Sequence, residues 1–387
     1  MKRPQMESRY KTYDYIIAGT GAAGLSLLCH ILSSDNLKDK SILLIDRDLK
    51  DKNDRTWCFW DTGESPFESC LKHTWKKLYF HSPDCSRLLD IKPYAYKMLD
   101  SLSFYKYCFN LIKDKTNISF IQDDIQHIDQ EEGLVAGLKD SYQATYIFNS
   151  ILFKNTAKLP GKHYLVQHFK GIFIQTKFPV FNAEEATLMD FRIPQHNDCR
   201  FVYVLPVNQT EALIEYTGFS KEALSQEYYD QELRSYIQDY LNISSYTITH
   251  EEFGIIPMTD APFDKGSKKL VNIGTAGGAT KASTGYTFSF IQKQCAKIAD
   301  NLSNGRHPLF QSSKQLDKYR FYDSIFLRVL SEKRIPAVSV FNAMFSKLPA
   351  KVILSFLDEE SSLFDDIRLM YTLDKAVFLS AALRNFF

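Results

Sequence analysis

YDYIIAGTGAAGLSLLCHIL, residues 13–32, decides the fold. Its first six residues are a short β-rich run, GTGAAG follows at Gly19–Gly24, and LSLLCHIL continues with apolar residues at helical spacing. SILLID at Ser41–Asp46 reads as a second strand, so the stretch is a strand–helix–strand unit. Gly19, Gly21 and Gly24 therefore close a strand and open a helix, the context that dinucleotide binding requires. Gly19 permits the tight turn. Gly21 lets the backbone N–H groups around Ala22 and Ala23 approach a pyrophosphate, and Gly24 lets helix and strand pack closely. The helix N-terminus stabilises phosphate charge, and Asp46, at the end of the second strand, is placed to accept from a ribose hydroxyl. The alternative is a glycine turn in an ordinary α/β fold.

Outward from this unit, Ile118–Ile121 and Tyr146–Leu152 read as later strands of the same sheet. Residues 163–220 alternate apolar and polar side chains in VQHFKGIFIQT, RFVYVLPV and EALIEYTGF, the pattern of an antiparallel sheet. Residues 221–242 are helical in pattern, and Leu270–Ile273 is a strand that runs into a second glycine-rich turn at Gly274, Thr275, Ala276, Gly277 and Gly278. A helix is expected over 286–303, and from Leu316 onward the pattern is helical, with Tyr319, Tyr322, Phe326, Val329 and Leu330 on one face. The expected division is a dinucleotide-binding part over 1–160, an antiparallel substrate domain over 161–260, a return to the first domain over 261–310 and a helical region over 311–387. Two glycine-rich strand ends far apart in the chain favour FAD over NAD, because a split site grips a flavin at both ends. Arg55, Thr56 and Trp57 lie just beyond the second strand, beside the ribose and pyrophosphate or in a solvated basic loop. Thr284, Gly285 and Tyr286 precede a helix whose N-terminus either faces the flavin or is a simple capped turn.

Composition narrows the class. The 387 residues carry 47 Lys plus Arg against 46 Asp plus Glu, a net charge of +1 with no basic run, which excludes the footprint of a nucleic-acid binder. Apolar residues at 44% exclude a disordered chain. No apolar stretch reaches the roughly 18–20 residues that span a bilayer, and residues 1–10 lack a signal-peptide core, so a soluble or peripheral intracellular protein is expected. Seven scattered cysteines without CxxC spacing and nine histidines without HExxH give no metal site and no disulfide framework. The 29 Phe, 22 Tyr and 3 Trp fit either a rich core or a long apolar ligand.

GTGAAG, RTWCFW (Arg55–Trp60), QHFKGIFIQT (Gln167–Thr176), ATLMDFR (Ala186–Arg192), YVLP with ALIEYT (Tyr203–Thr217), GIIPMTD (Gly254–Asp260), GTAGGATKASTGYTF (Gly274–Phe288) and YRFYDSIFLRVL (Tyr319–Leu330) occur in this order. Together they resemble the bacterial flavin-dependent lycopene β-cyclases, from about residue 13 to 380. The resemblance implies a Rossmann-like, p-hydroxybenzoate-hydroxylase-like FAD-binding domain interrupted by an antiparallel-sheet substrate domain. It also implies conversion of lycopene, through γ-carotene, to β-carotene with reduced FAD supplied by NAD(P)H and no net redox change. The family's acidic motif falls on Ile214–Thr217 and puts its acidic residue at Glu215. Its second position, acidic in some members, is Tyr216 here, and Thr275 stands where many flavoproteins of this fold carry Asp.

Cyclisation begins with protonation of an alkene, a very poor base, so the acid must be kept dry and protonated. Glu215, among Ala212, Leu213, Ile214 and Tyr216, fits such a donor, its carboxyl pKa raised by burial; the reduced flavin, or another acid such as Asp260, is the alternative source of the proton. Strand alternation gives the opposite reading, a solvent-facing residue. Lycopene dissolves in bilayers, so a cyclase is expected at the cytoplasmic face of the cell membrane, attached peripherally. Val338–Phe345 and Val352–Leu357, flanking Lys347 and Lys351, either touch the headgroups or are helices packed on the main domain. Acyclic carotenoids and the membrane surface are then the expected partners, with no nucleic acid and no metal. The competing functions are an FAD-dependent monooxygenase of the same fold and a non-catalytic prenyl-lipid carrier.

Overall fold

The computed structural model describes residues 10–63, 65–152, 159–310 and 314–384. Most of the N-terminal stretch read above for a leader thus lies outside the described residues. In chain order the first elements are β1 (Lys11–Ala18), α1 (Ala22–Leu32), β2 (Ile42–Asp46), β3 (Thr56–Asp61), β4 (His73–Trp75), β5 (Lys77–Ser82), β6 (Cys85–Asp90) and β7 (Ala95–Asp100). Next come α2 (Ser101–Ile112), β8 (Ile118–Gln122), β9 (Ile125–Asp129), β10 (Leu134–Gly137) and β11 (Ser141–Asn149). The middle of the chain forms β12 (Tyr164–Gln175), β13 (Glu185–Asp190), β14 (Cys199–Pro206), β15 (Glu211–Ser220), α3 (Gln226–Asp239), β16 (Thr247–Thr259) and β17 (Leu270–Asn272). Five helices follow α4 (Phe288–Ser303): α5 (Lys314–Ser331), α6 (Ala337–Lys347), α7 (Ala350–Leu357), α8 (Leu363–Thr372) and α9 (Lys375–Leu383).

The opening strand–helix–strand unit builds the first sheet, ordered β8-β2-β1-β11-β10-β9, with β17 joining β11 in parallel. β8, β2, β1 and β11 run parallel and are buried on both faces, which explains the near-continuous apolar runs in β1 and β2. One face packs Ile17, Leu44 and Phe148 against Leu28 of α1 and Ile298 of α4; the other packs Ile16, Leu43 and Ile147 against the β9–β10 hairpin. The chain thus returns to its first sheet at β17 after a long excursion.

That excursion is the second sheet, ordered β16-β12-β15-β14-β13-β5-β6 and antiparallel except at β13–β5. β5 and β6, from within residues 1–160, extend this sheet and not the first. Its outer face is covered by α3, with Ile214 and Tyr216 against Tyr229, Leu233 and Tyr236. Its inner face meets the small sheet β3-β7-β4 and the C-terminal helices in the largest core. Within that core Phe80 stacks on Phe345 of α6 at 4.6 Å, and Arg87 donates to the carbonyls of Phe345 and Leu348. Val340, Phe341, Phe345, Ile353 and Leu354 are buried, so the two apolar segments around Lys347 and Lys351 are helices packed on the main domain, with Val338 and Phe356 half-buried at their margin. No helix among the described residues is long and apolar enough to cross a membrane.

Candidate active site

Two features of this framework converge on chemistry, a backbone cradle and a carboxyl-lined face. The cradle is the β1–α1 turn. Gly19 has φ +90°, and a side chain there would collide with Ser150; one at Gly24 would strike the Gly19 carbonyl. Both glycines are therefore demanded by the chain's own packing. Gly21 differs, because a Cβ there meets nothing within 4 Å. It is also the N-cap of α1, which has no side-chain cap, whereas α2, α3, α8 and α9 are capped by Asp100, Ser225, Ser362 and Asp374. The N–H groups of Ala22, Ala23 and Gly24 open the helix there, and open space beside Gly21 is what a pyrophosphate needs.

Asp46 ends β2 beside this turn and accepts from the Thr20 backbone N–H at 2.6 Å and the Thr20 hydroxyl at 3.0 Å. Its other oxygen accepts from the Asp48 N–H at 2.9 Å, and the Lys50 ammonium lies 3.3 Å away. Asp46 thus fixes the glycine turn, with lone-pair capacity left for a hydroxyl. The second glycine-rich segment, Gly274, Thr275, Ala276 and Gly277, forms a 3₁₀ turn closed by Gly278 at φ 70°. A Cβ at Gly274 would lie 2.6 Å from that of Ala23, so the two glycine-rich segments touch. Arg55 is exposed and donates to the Asp54 carbonyl, whereas Trp57 packs between Phe104 and Phe288. The cradle therefore fits a dinucleotide, whereas among the described residues the Arg55 side chain makes no hydrogen bond to either glycine-rich segment, and its charge lies near Glu252.

Glu215 lies on β15 with Leu213 and Phe219 toward the inner core, while Ile214 and Tyr216 face α3. Glu215 is half-buried while its neighbours on both faces of the strand are buried, so its side chain opens on the inner side of the sheet and is not a freely solvated one. Register places Tyr203, Glu215, Gly171 and Glu252 side by side across β14, β15, β12 and β16. Thr217 donates to Glu215 Oε1 at 2.9 Å. Burial pushes the Glu215 carboxyl well above the ordinary range, the nearby Glu252 pushes it further, and Thr217 offsets only part. Glu252 is also raised by burial, with Thr56 and Arg55 opposing.

Across from this row stand Cys58 and Trp60 of β3, Tyr96 of β7 and Tyr286. Burial, then the Glu215 and Glu252 carboxyls, pushes the Cys58 thiol far up, and burial carries Tyr286 up to about 12. Trp60 meets Tyr286 edge-on at 4.7 Å. Thr56, Trp60, Gln167, Glu252, Thr284 and Tyr286 each hold a buried polar side-chain atom without a hydrogen-bond partner in the chain. Buried polar groups are almost always paired, so a cluster of exceptions marks a place that a ligand or water completes. Among the described residues no group of three or more His, Cys, Asp or Glu is arranged to hold a metal ion.

The family model described as lycopene cyclase protein matches residues 14–383. The chain belongs to the lycopene cyclase family. Curated relatives called lycopene beta-cyclase come from Paracoccus sp. (strain N81106 / MBIC 01143), 23% identical over 93% of both chains, and Pantoea ananas, 24% identical over 92% of this chain and 94% of that one. A third, from Pseudescherichia vulneris, is 27% identical over 47% of this chain and spans only half of that protein. Among solved structures, a flavoprotein/dehydrogenase of Cytophaga hutchinsonii matches with TM-score 0.65 at 10% identity, covering 97% of this chain and all of that one. A probable FAD-dependent monooxygenase of Pseudomonas aeruginosa, PqsL, matches with TM-score 0.55 at 13% identity, over 90% of this chain and 99% of that one. These likenesses are of fold, and they bear out the α/β architecture with its interrupting sheet and helical C-terminal region.

Within this family member, Gly171 and Glu252 went unrecognised in the sequence. THEEFG around Glu252 shows no alternation and reads as a charged edge, and Glu251 beside it is indeed exposed. The available signal was Gly171 itself, a glycine inside an otherwise apolar strand, which marks a close approach. Asp260 differs from Glu215: burial pushes it up, but hydrogen bonds from His163 and Ser324 outweigh this and hold its carboxyl below the ordinary range.

Proposed function

We propose that the chain is a lycopene β-cyclase, closing the acyclic ends of lycopene into β-rings through γ-carotene to β-carotene. One observation carries the reading: the carboxyl on the family's acidic motif, Glu215, is desolvated and raised toward its protonated form among Trp60, Tyr96, Tyr203 and Tyr286. A neutral carboxylic acid in an apolar site is the donor an alkene requires. Protonation of the terminal double bond gives a tertiary cation, the neighbouring double bond closes the ring, and loss of a ring proton leaves the β-ring. The aromatic faces around Glu215 stabilise the cation, and the covered sheet keeps water from capturing it.

FAD would be held by Gly19, Gly21, Ala22, Ala23, Gly24 and Asp46 at one end, with Gly274, Thr275, Ala276, Gly277 and Gly278 alongside and Arg55 at the rim. When bound in its reduced form, with NAD(P)H as the source of electrons, it supplies negative charge that favours the cationic transition state. Substrate and product are isomers, so no reductant is consumed. The test is an anaerobic assay with photoreduced enzyme, lycopene and no nicotinamide. Many turnovers of cyclic product per flavin are expected; one equivalent per reduced flavin would indicate redox chemistry and the monooxygenase-like alternative.

Lycopene resides in bilayers, so the enzyme would work at the cytoplasmic face of the cell membrane as a peripheral protein. Its apolar contact surface would be the exposed face of α8, with Leu363, Phe364, Ile367 and Tyr371.

A further inference from the structure

Glu215 and Glu252 are separated by one strand, β12, whose residue between them is Gly171. Two strand spacings put their Cα atoms roughly 10 Å apart. The missing side chain closes that gap. A Cβ on Gly171 would lie 3.2 Å from Glu252 Cγ and 3.3 Å from its Oε1, so the Glu252 side chain leans over the glycine toward Glu215. Glu252 is 6% exposed; Thr56 of β3 and the Arg55 and Lys72 charges lie near its carboxyl, but neither oxygen makes a well-formed hydrogen bond. A buried carboxyl held so loosely is costly. The family's motif offers no second acid in this chain, because Tyr216 takes that position and points to α3.

We propose that Glu252 is the second catalytic carboxyl of the cyclisation: coupled through space to Glu215 across Gly171, it stays ionised while Glu215 holds the proton, and it removes the ring proton. This rests on the cyclase reading above. Glu215 breaks its O–H bond and gives the proton to the terminal alkene carbon, which leaves a carboxylate and a tertiary cation. The π pair of the neighbouring double bond forms the ring C–C bond and moves the positive charge to the adjoining carbon. The Glu252 carboxylate takes the proton from the ring carbon, and the C–H electron pair becomes the ring double bond. Glu252 is then the acid and Glu215 the carboxylate, and release of the Glu252 proton to water with uptake of one by Glu215 restores the starting state. One proton enters, one leaves, and no electrons are exchanged.

A pair with two protons has no base and a pair with none has no acid, so the competent form holds one. Like carboxyls in a buried site favour that state, since ionisation of the first opposes ionisation of the second. The groups facing the pair do not compete for this role. Cys58, Tyr96, Tyr203 and Tyr286 are all raised by burial and stay neutral, and the Arg55 and Lys72 cations balance the single negative charge. His250, two residues along β16 and 6.0 Å from Phe173 between ring centroids, is the neighbouring imidazole.

The test uses flavin-loaded enzyme, lycopene in detergent, and the pH profile of turnover for wild type, Glu252→Gln, Glu252→Asp and Gly171→Ala. Wild type should give a bell: the acid limb needs one carboxyl ionised, and the alkaline limb needs the other protonated. Glu252→Gln should keep its flavin, turn over about 10²-fold more slowly and lose the acid limb. Its alkaline limb should move to lower pH, because the negative charge that raises Glu215 is gone. Glu252→Asp should recover part of the rate together with the bell. If Glu252→Gln fails to fold, Gly171→Ala decides instead, since its methyl would press on Leu213 at 2.9 Å and on the Glu252 side chain at 3.2–3.3 Å: slow turnover with full flavin and a shifted acid limb supports the pair, and wild-type turnover with the wild-type pH profile overturns it. An acid limb that survives in Glu252→Gln belongs to another group and also overturns it. A wild-type enzyme that forms no cyclic product would instead defeat the reading of function, a result distinct from either.

Discussion

Replacing Glu215 by Gln keeps its volume and one acceptor but removes the transferable proton and the charge. Turnover should fall by about 10² or more while flavin content stays at the wild-type level. Glu215→Asp withdraws the carboxyl by one methylene and should also be slow, because proton delivery depends on placement. Stability supplies an independent readout. The folded carboxyl is raised above its ordinary value of about 4.3, so its contribution is intact below that pH and is lost as pH rises toward the folded value. Relative to wild type, Glu215→Gln should therefore be no less stable at pH 5 and more stable at pH 9, as thermal unfolding across that range would show. Equal stability differences at both pH values would mean that the carboxyl ionises in the fold as it does in water. At this scale the sequence motif names Glu215 but not its protonation state, which depends on Glu252 from a strand that begins 27 residues after β15 ends.

The β1–α1–β2 unit is legible because every part of it is local: an apolar strand, glycines at the turn, a helix at regular spacing and an acidic strand end. Two of its three glycines answer to the chain's own packing and one does not. Gly24→Val should unfold the unit, since the side chain would run into the Gly19 carbonyl. Gly21→Val has open space and an extended backbone that any residue adopts, so it should fold normally yet fail to retain flavin. The check is the flavin absorbance of the purified variant together with its circular dichroism; a folded Gly21→Val with stoichiometric flavin would remove the pyrophosphate from that turn. The second sheet is less legible. Its alternating strands β12, β14 and β15 announce themselves, but β5 joins through a parallel pairing with β13 more than a hundred residues downstream, which no local pattern encodes. The inner row Tyr203–Glu215–Gly171–Glu252 is likewise a product of register across four strands and is invisible to any single one.

At the scale of the molecule, the proposed reaction asks which surface of a chain whose described helices cannot span a bilayer would meet one. α6 packs its apolar side chains on β5 and β6, and α7 packs on α6 and α8, so both spend most of them on the core. α8 does the reverse. Leu363, Phe364, Ile367 and Tyr371 are 67%, 74%, 66% and 73% exposed, and at 3.6 residues per turn they fall within roughly a third of the helix circumference. Leu369, on the far side, is the residue buried against the protein. On α9, Leu379 and Leu383 are also exposed, and Lys375 sits 3.6 Å above the Tyr371 ring, with its charge free to meet anionic headgroups. Burying one large apolar side chain is worth about 1.5–3 kcal/mol at full depth, so two charges on this face should weaken membrane binding at least tenfold. Phe364→Asp with Ile367→Asp is therefore expected to leave flavin binding and turnover on detergent-dispersed lycopene unchanged. The same variant should lose cosedimentation with phosphatidylglycerol-containing vesicles and turnover on lycopene dissolved in them. If it still binds and acts on those vesicles as wild type does, the membrane contact lies on another face, and the exposed stripe of α8 has a different purpose.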